Sequence, residues 1–153
     1  MEQSFTLEDG AACVIRMACE GDEQGIYQLV CELEQQTFDR DEFGRRFRVQ
    51  LADPRMHCLV LEVAGSVAGY LNLRIDRHLH HAGPTAEILE FIVGPTVRGG
   101  GIGTRMFSCA REVAEQEGCE QIELSSRLTR IDAHRFYERQ GMVKTHAGLT
   151  MRL

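Results

Sequence analysis

EILEFIVGPTVRGGGIGTRMF, residues 87–107, passes from an apolar run, through a proline and three consecutive glycines, into a stripe of helical spacing. The run EILEFIV (87–93) predicts a strand. Ile102, Met106, Ala110 and Val113, widened by Phe107 and Ala114, predict a helix that stops at Gly118. A strand that turns straight into a helix is half of a crossover unit, so the sheet it belongs to needs at least one parallel connection. Glycine lowers helix stability by about 1 kcal/mol relative to alanine, so three in a row at a helix mouth need a reason. Two are available: a tight turn with left-handed backbone angles, or a ligand whose phosphates press against bare main-chain amides.

Outward from this stretch the pattern alternates between the two periodicities. Residues 1–11 lack a clear repeat and are expected to form a flexible leader, with a single domain over 12–153. CVIRMA (13–18) predicts a strand. Ile26, Leu29, Val30 and Leu33 predict a helix from Asp22 to about Gln36, and Phe43, Phe47, Val49 and Leu51 a second one ending before Asp53 and Pro54. HCLVLEVAG (57–65) and VAGYLNLRID (67–76) predict a hairpin turning at Gly65-Ser66. Beyond Gly118, CEQIELSS (119–126) predicts a strand, and Ala133, Phe136, Tyr137 and Gln140 a helix ending at Gly141. Two short strands near MVKTH (142–146) and LTMRL (149–153) would close the chain. The order β-α-α-β-β-β-α-β-α-β-β predicts a mixed α/β fold, a central twisted mixed sheet of about seven strands flanked by four helices.

Composition narrows the function. Acidic residues outnumber basic ones by 23 to 17, for a formal net charge of −6, with no lysine-rich run, which argues against nucleic acid as a partner. No stretch is apolar enough for a membrane span, and the opening MEQSFTLEDG is acidic where a secretory signal is basic and then apolar, so a cytoplasmic location is expected. The six cysteines form no CxxC pair and are expected to be reduced.

Among phosphate loops, GxxxxGK[ST] is absent, and GxGxxG fails at Met106 if Gly101 and Gly103 are its first two glycines. What fits is RxxGxG, met by Arg98, Gly101 and Gly103 between a strand and a helix. Together with EFIV (90–93) just upstream and AHRFYERQGM (133–142), which matches AxxFYxxxG, the chain resembles the GNAT superfamily of N-acetyltransferases. That resemblance implies acetyl coenzyme A as co-substrate. Arg98 and the amides of Gly99, Gly100, Gly101, Ile102, Gly103 and Thr104 would hold its pyrophosphate, and the backbone of Ile92 and Val93 its pantetheine arm. It also allows a homodimer. Within the superfamily, QTFDRDEF (36–43), RHLHH (77–81), ELSS (123–126) and RIDAHRFY (130–137) resemble the members that acetylate aminoalkylphosphonates.

Acetyl transfer to an amine needs a base to neutralise the nucleophile and an acid for the departing thiolate. The resemblance places Tyr137 as the acid, against a plain role in the core beside Phe136. Glu90 is the candidate base: alternation groups it with Ile88 and Ile92, where burial raises a carboxyl group's proton affinity. Glu87, a water, or an ion pair with an arginine are the competing readings, and a β-bulge would change which face each glutamate sees. If 77–81 were strand, His78 and His80 would share a face and His81 would point away. The three histidines read as a solvated strand end, an anion site for the phosphonate, or part of a divalent-metal site. Arg127 and Arg130 read as an anion site or a solvated loop. None of the cysteines sits in a nucleophile context, so direct attack by the amine is expected. The remaining alternatives are another small amine, such as a polyamine or amino acid, and a coenzyme A sensor without turnover.

Overall fold

The computed structural model describes residues 2–153, which divide into two compact units, one up to Glu123 and one from Leu124 onward. The first contains strands β1 (Glu2–Thr6), β2 (Ala12–Met17), β3 (Met56–Val63), β4 (Ser66–Asp76) and β5 (Thr85–Val93), and helices α1 (Glu23–Glu34), α2 (Arg40–Ala52) and α3 (Ile102–Gln116). β6 (Gln121–Leu124) ends where the second unit starts, and α4 (Ile131–Arg139) lies in that second unit. Among the described residues the strands form one six-stranded mixed sheet in the order β1-β2-β3-β4-β5-β6, antiparallel from β1 through β5.

Strand alternation separates the sheet into two apolar faces. Cys58, Val60, Tyr70 and Ile92 pack with Ile26 and Leu29 of α1 and Phe47 of α2. On the other face Gly69 meets α3, where a Cβ would sit 2.9 Å from Met106 Sδ, so only a glycine allows this approach. The predicted α3 stripe of Ile102, Met106, Phe107, Ala110, Val113 and Ala114 is buried throughout, and Cys109 is buried beside it. Burial of side chains of this size stabilises by about 1.5–3 kcal/mol for each large one. Gly118, at φ +71°, ends the helix as expected, with Cys119 N–H bonded to Ala114 O at 2.9 Å.

Four expectations need correction. Residues 2–6 are not a loose leader but an edge strand; its one apolar side chain, Phe5, lies under the Arg105 guanidinium at 4.8 Å, and Gln3 bonds Glu112 of α3 at 3.0 Å. A polar edge strand carries almost no hydrophobic alternation, which is why it was invisible to pattern. The two closing strands are absent: 142–153 has no strand, and Val143, Leu149 and Met151 are exposed. Apolar alternation makes a strand only where a neighbour covers one face, so the sheet has six strands rather than about seven. Val49 is exposed, because a residue two places from Phe47 falls on the opposite side of a helix. Finally, 77–84 is a loop, so His78, His80 and His81 are not on a strand.

An ion-pair clamp fixes the entry to α1. Arg16 bonds both oxygens of the buried Asp22 carboxylate, at 2.8 and 2.9 Å, and also Glu62 at 2.8 Å. Burial raises the Asp22 proton affinity, but the Arg16 fork and the Cys19 amide outweigh it and hold the carboxyl below its ordinary pKa. A depressed folded-state pKa stabilises above the unfolded pKa and is lost as pH falls through the folded value. Asp22→Asn is therefore expected to lower stability by about 2–3 kcal/mol at pH 7, the worth of hydrogen bonds between charged groups. In urea unfolding the gap between variant and parent should close as pH falls below about 4, the ordinary carboxylate range.

Candidate active site

Gly99, Gly100 and Gly101 adopt φ of +108°, +54° and +73°, three left-handed residues in succession, and Gly101 is the N-cap of α3. A Cβ at any of them would meet nothing within 4 Å, so backbone conformation, not packing, demands glycine, and no protein atom crowds the space in front. The Ile102 amide is used internally, bonding Gly99 O at 3.1 Å. Among the described residues, no backbone hydrogen bond uses the amides of Gly99, Gly100, Gly101 or Gly103. These donors, with the positive end of a fifteen-residue helix, make a site for an anion. Arg98 adds a full charge and is tied to the end of β5 by Nε–H bonding Val93 O at 2.9 Å. Ile92 contributes its side chain to the core, which leaves only its backbone for a ligand; Val93 is half-buried.

Glu90 lies in the middle of β5. A bulge interrupts that alternation: β5 carries an extra residue, Leu89, between the pairs Leu73–Ile88 and Asn72–Glu90. Glu90 therefore shares the α1/α2 face with Ile92, whereas Ile88 turns to the opposite face, which corrects the expected grouping of all three. Burial raises the Glu90 proton affinity, Asn72 opposes this by donating to Oε2 at 2.8 Å, and the Glu34 charge adds to the rise; the net shift is upward. The rival Glu87 accepts from Arg74 at 2.6 Å and is committed to that ion pair.

The histidine loop precedes Thr85 and the glycine loop follows Val93, so the two sit at opposite ends of β5. Thr85 and Glu90 are separated by roughly 16 Å of strand at about 3.3 Å per residue. His78 and His80 are exposed, their rings 5.6 Å apart, and His81 pairs with Glu120. Among the described residues, no group of three or more His, Cys, Asp or Glu side chains is arranged to hold a metal ion.

In the second unit, Tyr137 packs edge-on against Phe136, ring centroids 5.3 Å apart. Burial pushes its phenol up to about 12, with the Arg130 charge acting in the opposite sense, so the hydroxyl keeps its proton at neutral pH. Arg127 and Arg130 bracket the turn before α4, Arg130 N–H bonding Arg127 O at 3.0 Å. Around Glu90, sequence reasoning left Asn72, Gln50, Cys58 and Tyr70 unassigned. The available signal was an asparagine inside the apolar run YLNL (70–73).

The profile of the acetyltransferase (GNAT) family matches residues 24–142. The chain belongs to the GNAT family. Members of this family use acetyl coenzyme A as co-substrate. Among characterised GNAT relatives, the aminoalkylphosphonate N-acetyltransferase of Salmonella typhimurium is 39% identical over 141 residues, 92% of each chain. The thialysine N-epsilon-acetyltransferase of Bos taurus is 30% identical over 128 residues, 75% of each. A crystal structure of a transcriptional regulator from Bacillus halodurans C-125 superposes with a TM-score of 0.84 at 26% identity, covering 91% of this chain and 98% of that one. This GNAT chain is therefore an N-acetyltransferase with the mixed α/β fold expected of it.

Proposed function

We propose that this acetyltransferase moves the acetyl group of acetyl coenzyme A directly onto the primary amine of a small aminoalkylphosphonate. The observation that carries the acceptor is the 39% identity, over 92% of both chains, to an enzyme named for that substrate class. The donor site is the cradle of Gly99–Thr104 with Arg98, where the amides of Gly99, Gly100, Gly101 and Gly103 and the helix dipole suit a pyrophosphate. The reduced cysteines suit a reducing compartment such as the cytoplasm.

Glu90 takes a proton from the substrate ammonium, directly or through water, leaving the neutral amine. The amine nitrogen forms its bond to the thioester carbonyl carbon, the carbon–sulfur bond breaks, and Tyr137 gives its proton to the departing thiolate. The second proton on nitrogen and the one on Glu90 leave to solvent, which also restores Tyr137. The phosphonate is a dianion approaching a chain of net charge −6, so local cations must receive it. Arg127 and Arg130 are proposed for this.

A second reading, acetylation of the side-chain amine of a lysine-like amino acid, is favoured by the thialysine-acetylating relative. Thiol release separates the two. Saturable release with aminomethylphosphonate, and little with thialysine or spermidine, is the expected result. Release only with thialysine or spermidine would overturn the assigned acceptor, and tight coenzyme binding with no release from any amine would overturn turnover itself.

A further inference from the structure

Asn72 is fully buried, with 0% of its surface exposed, in the centre of an apolar strand. A buried amide is unfavourable unless its polar atoms are bonded, and here every one of them is. Asn72 Nδ2 donates to Glu90 Oε2 at 2.8 Å and to Gln50 Oε1 at 3.2 Å, while Oδ1 accepts from Cys58 Sγ at 3.4 Å. Cys58 Sγ in turn accepts from the hydroxyl of the buried Tyr70 at 3.6 Å. The Leu89 bulge sets this up, because the shifted register places Asn72 directly opposite Glu90.

Along this chain Tyr70 donates to the thiol, the thiol donates to Oδ1, and Gln50 Oε1 accepts, so every contact pairs a donor with an acceptor. Rotating the Asn72 amide would set oxygen against oxygen at an ionised Glu90 and would require Gln50 to turn with it. Asn72 thus offers Glu90 an N–H donor, which suits a carboxylate and conflicts with a proton on Oε2.

We propose that Asn72 is a positioning residue for Glu90, holding its carboxylate by an oriented N–H donor and so setting the pH at which the base becomes available. This rests on the reading of Glu90 as the base. The ionisable groups facing Glu90 are Glu34 from α1, Cys58 from β3 and Tyr70 from β4, while α2 contributes the neutral Gln50. None of these is a cation, so Asn72 is the group that opposes the burial of the charge.

The test is the pH profile of kcat/KM for Asn72→Leu in the full chain, with Glu90→Gln beside it. Without the donor the carboxylate is disfavoured, its proton affinity rises, and the acid limb is expected to move up by about one to two pH units, the worth of one charge-assisted hydrogen bond. On the acid limb, activity should fall about 10- to 100-fold and recover toward the parent level at high pH, with affinity for the acetyl donor unchanged. An equal loss at every pH, or an unmoved acid limb, overturns the proposal while an inactive Glu90→Gln leaves the base in place. A fully active Glu90→Gln overturns the base reading itself. If Asn72→Leu does not fold, carbon-13 titration of the Glu90 carboxyl in Asn72→Ser decides the question: an upward shift supports the role and an unchanged midpoint ends it.

Discussion

Tyr137→Phe is expected to lower kcat by about 10²- to 10⁴-fold, the range for loss of a positioned general acid, while affinity for the acetyl donor stays within a few-fold of the parent. The change removes one oxygen and keeps the ring, so the contact with Phe136 survives. With its phenol pushed up to about 12, Tyr137 is protonated at any working pH and always carries the proton that a thiolate needs. Buried surroundings that disfavour a phenolate disfavour a thiolate as well, so the leaving sulfur becomes more basic as the acid becomes weaker. Steady-state kinetics with coenzyme binding measured separately will check this. Equal losses in kcat and in donor affinity would mean that the residue shapes the binding site and does not donate a proton.

Gly101→Val should weaken binding of acetyl coenzyme A by about 100-fold while leaving the protein folded. At φ +73° a β-branched side chain is strained by at least 1–2 kcal/mol. Relief of that strain turns the Gly101–Gly103 amides away from a common point, and the new side chain enters the space that protein atoms leave open. The helix itself is retained through Ile102, Met106 and Phe107, which anchor it on the sheet. Gly10→Val is the control: Gly10 has φ +86° and open space around it, so it carries a like backbone penalty in the β1–β2 turn. Calorimetric titration should show the control binding as the parent does. Equal weakening in both variants would mean that the glycine loop has no special part in holding the donor.

The parts of this fold that were legible in sequence are those in which side-chain pattern and burial coincide. α3 was legible because all six residues of its predicted stripe are buried, and the hairpin from β3 to β4 because apolar runs flank a glycine turn. The glycine loop was legible because glycine marks a backbone requirement that no packing explains. β1 was not, since an edge strand held by one aromatic ring and one glutamine has no pattern to display. The closing strands failed for the converse reason: alternation at Leu149, Met151 and Leu153 exists, and nothing covers it. At Glu90 the residue was found but its face was half misjudged, because one extra residue at Leu89 reverses the alternation upstream of it. The polar neighbours of Glu90 come from α2, β3 and β4, and only register and packing gather Gln50, Cys58 and Asn72 around it.

The edge strand β1 has a practical side for anyone who handles the protein. Pairing with β2 runs from Glu2 to Thr6, and two of these residues, Gln3 and Phe5, reach the helix whose mouth forms the glycine cradle. An affinity tag or fluorescent fusion at the amino terminus would pull on those contacts and distort the measured donor affinity. The tail after Gly141, free of regular structure, is the sounder point of attachment.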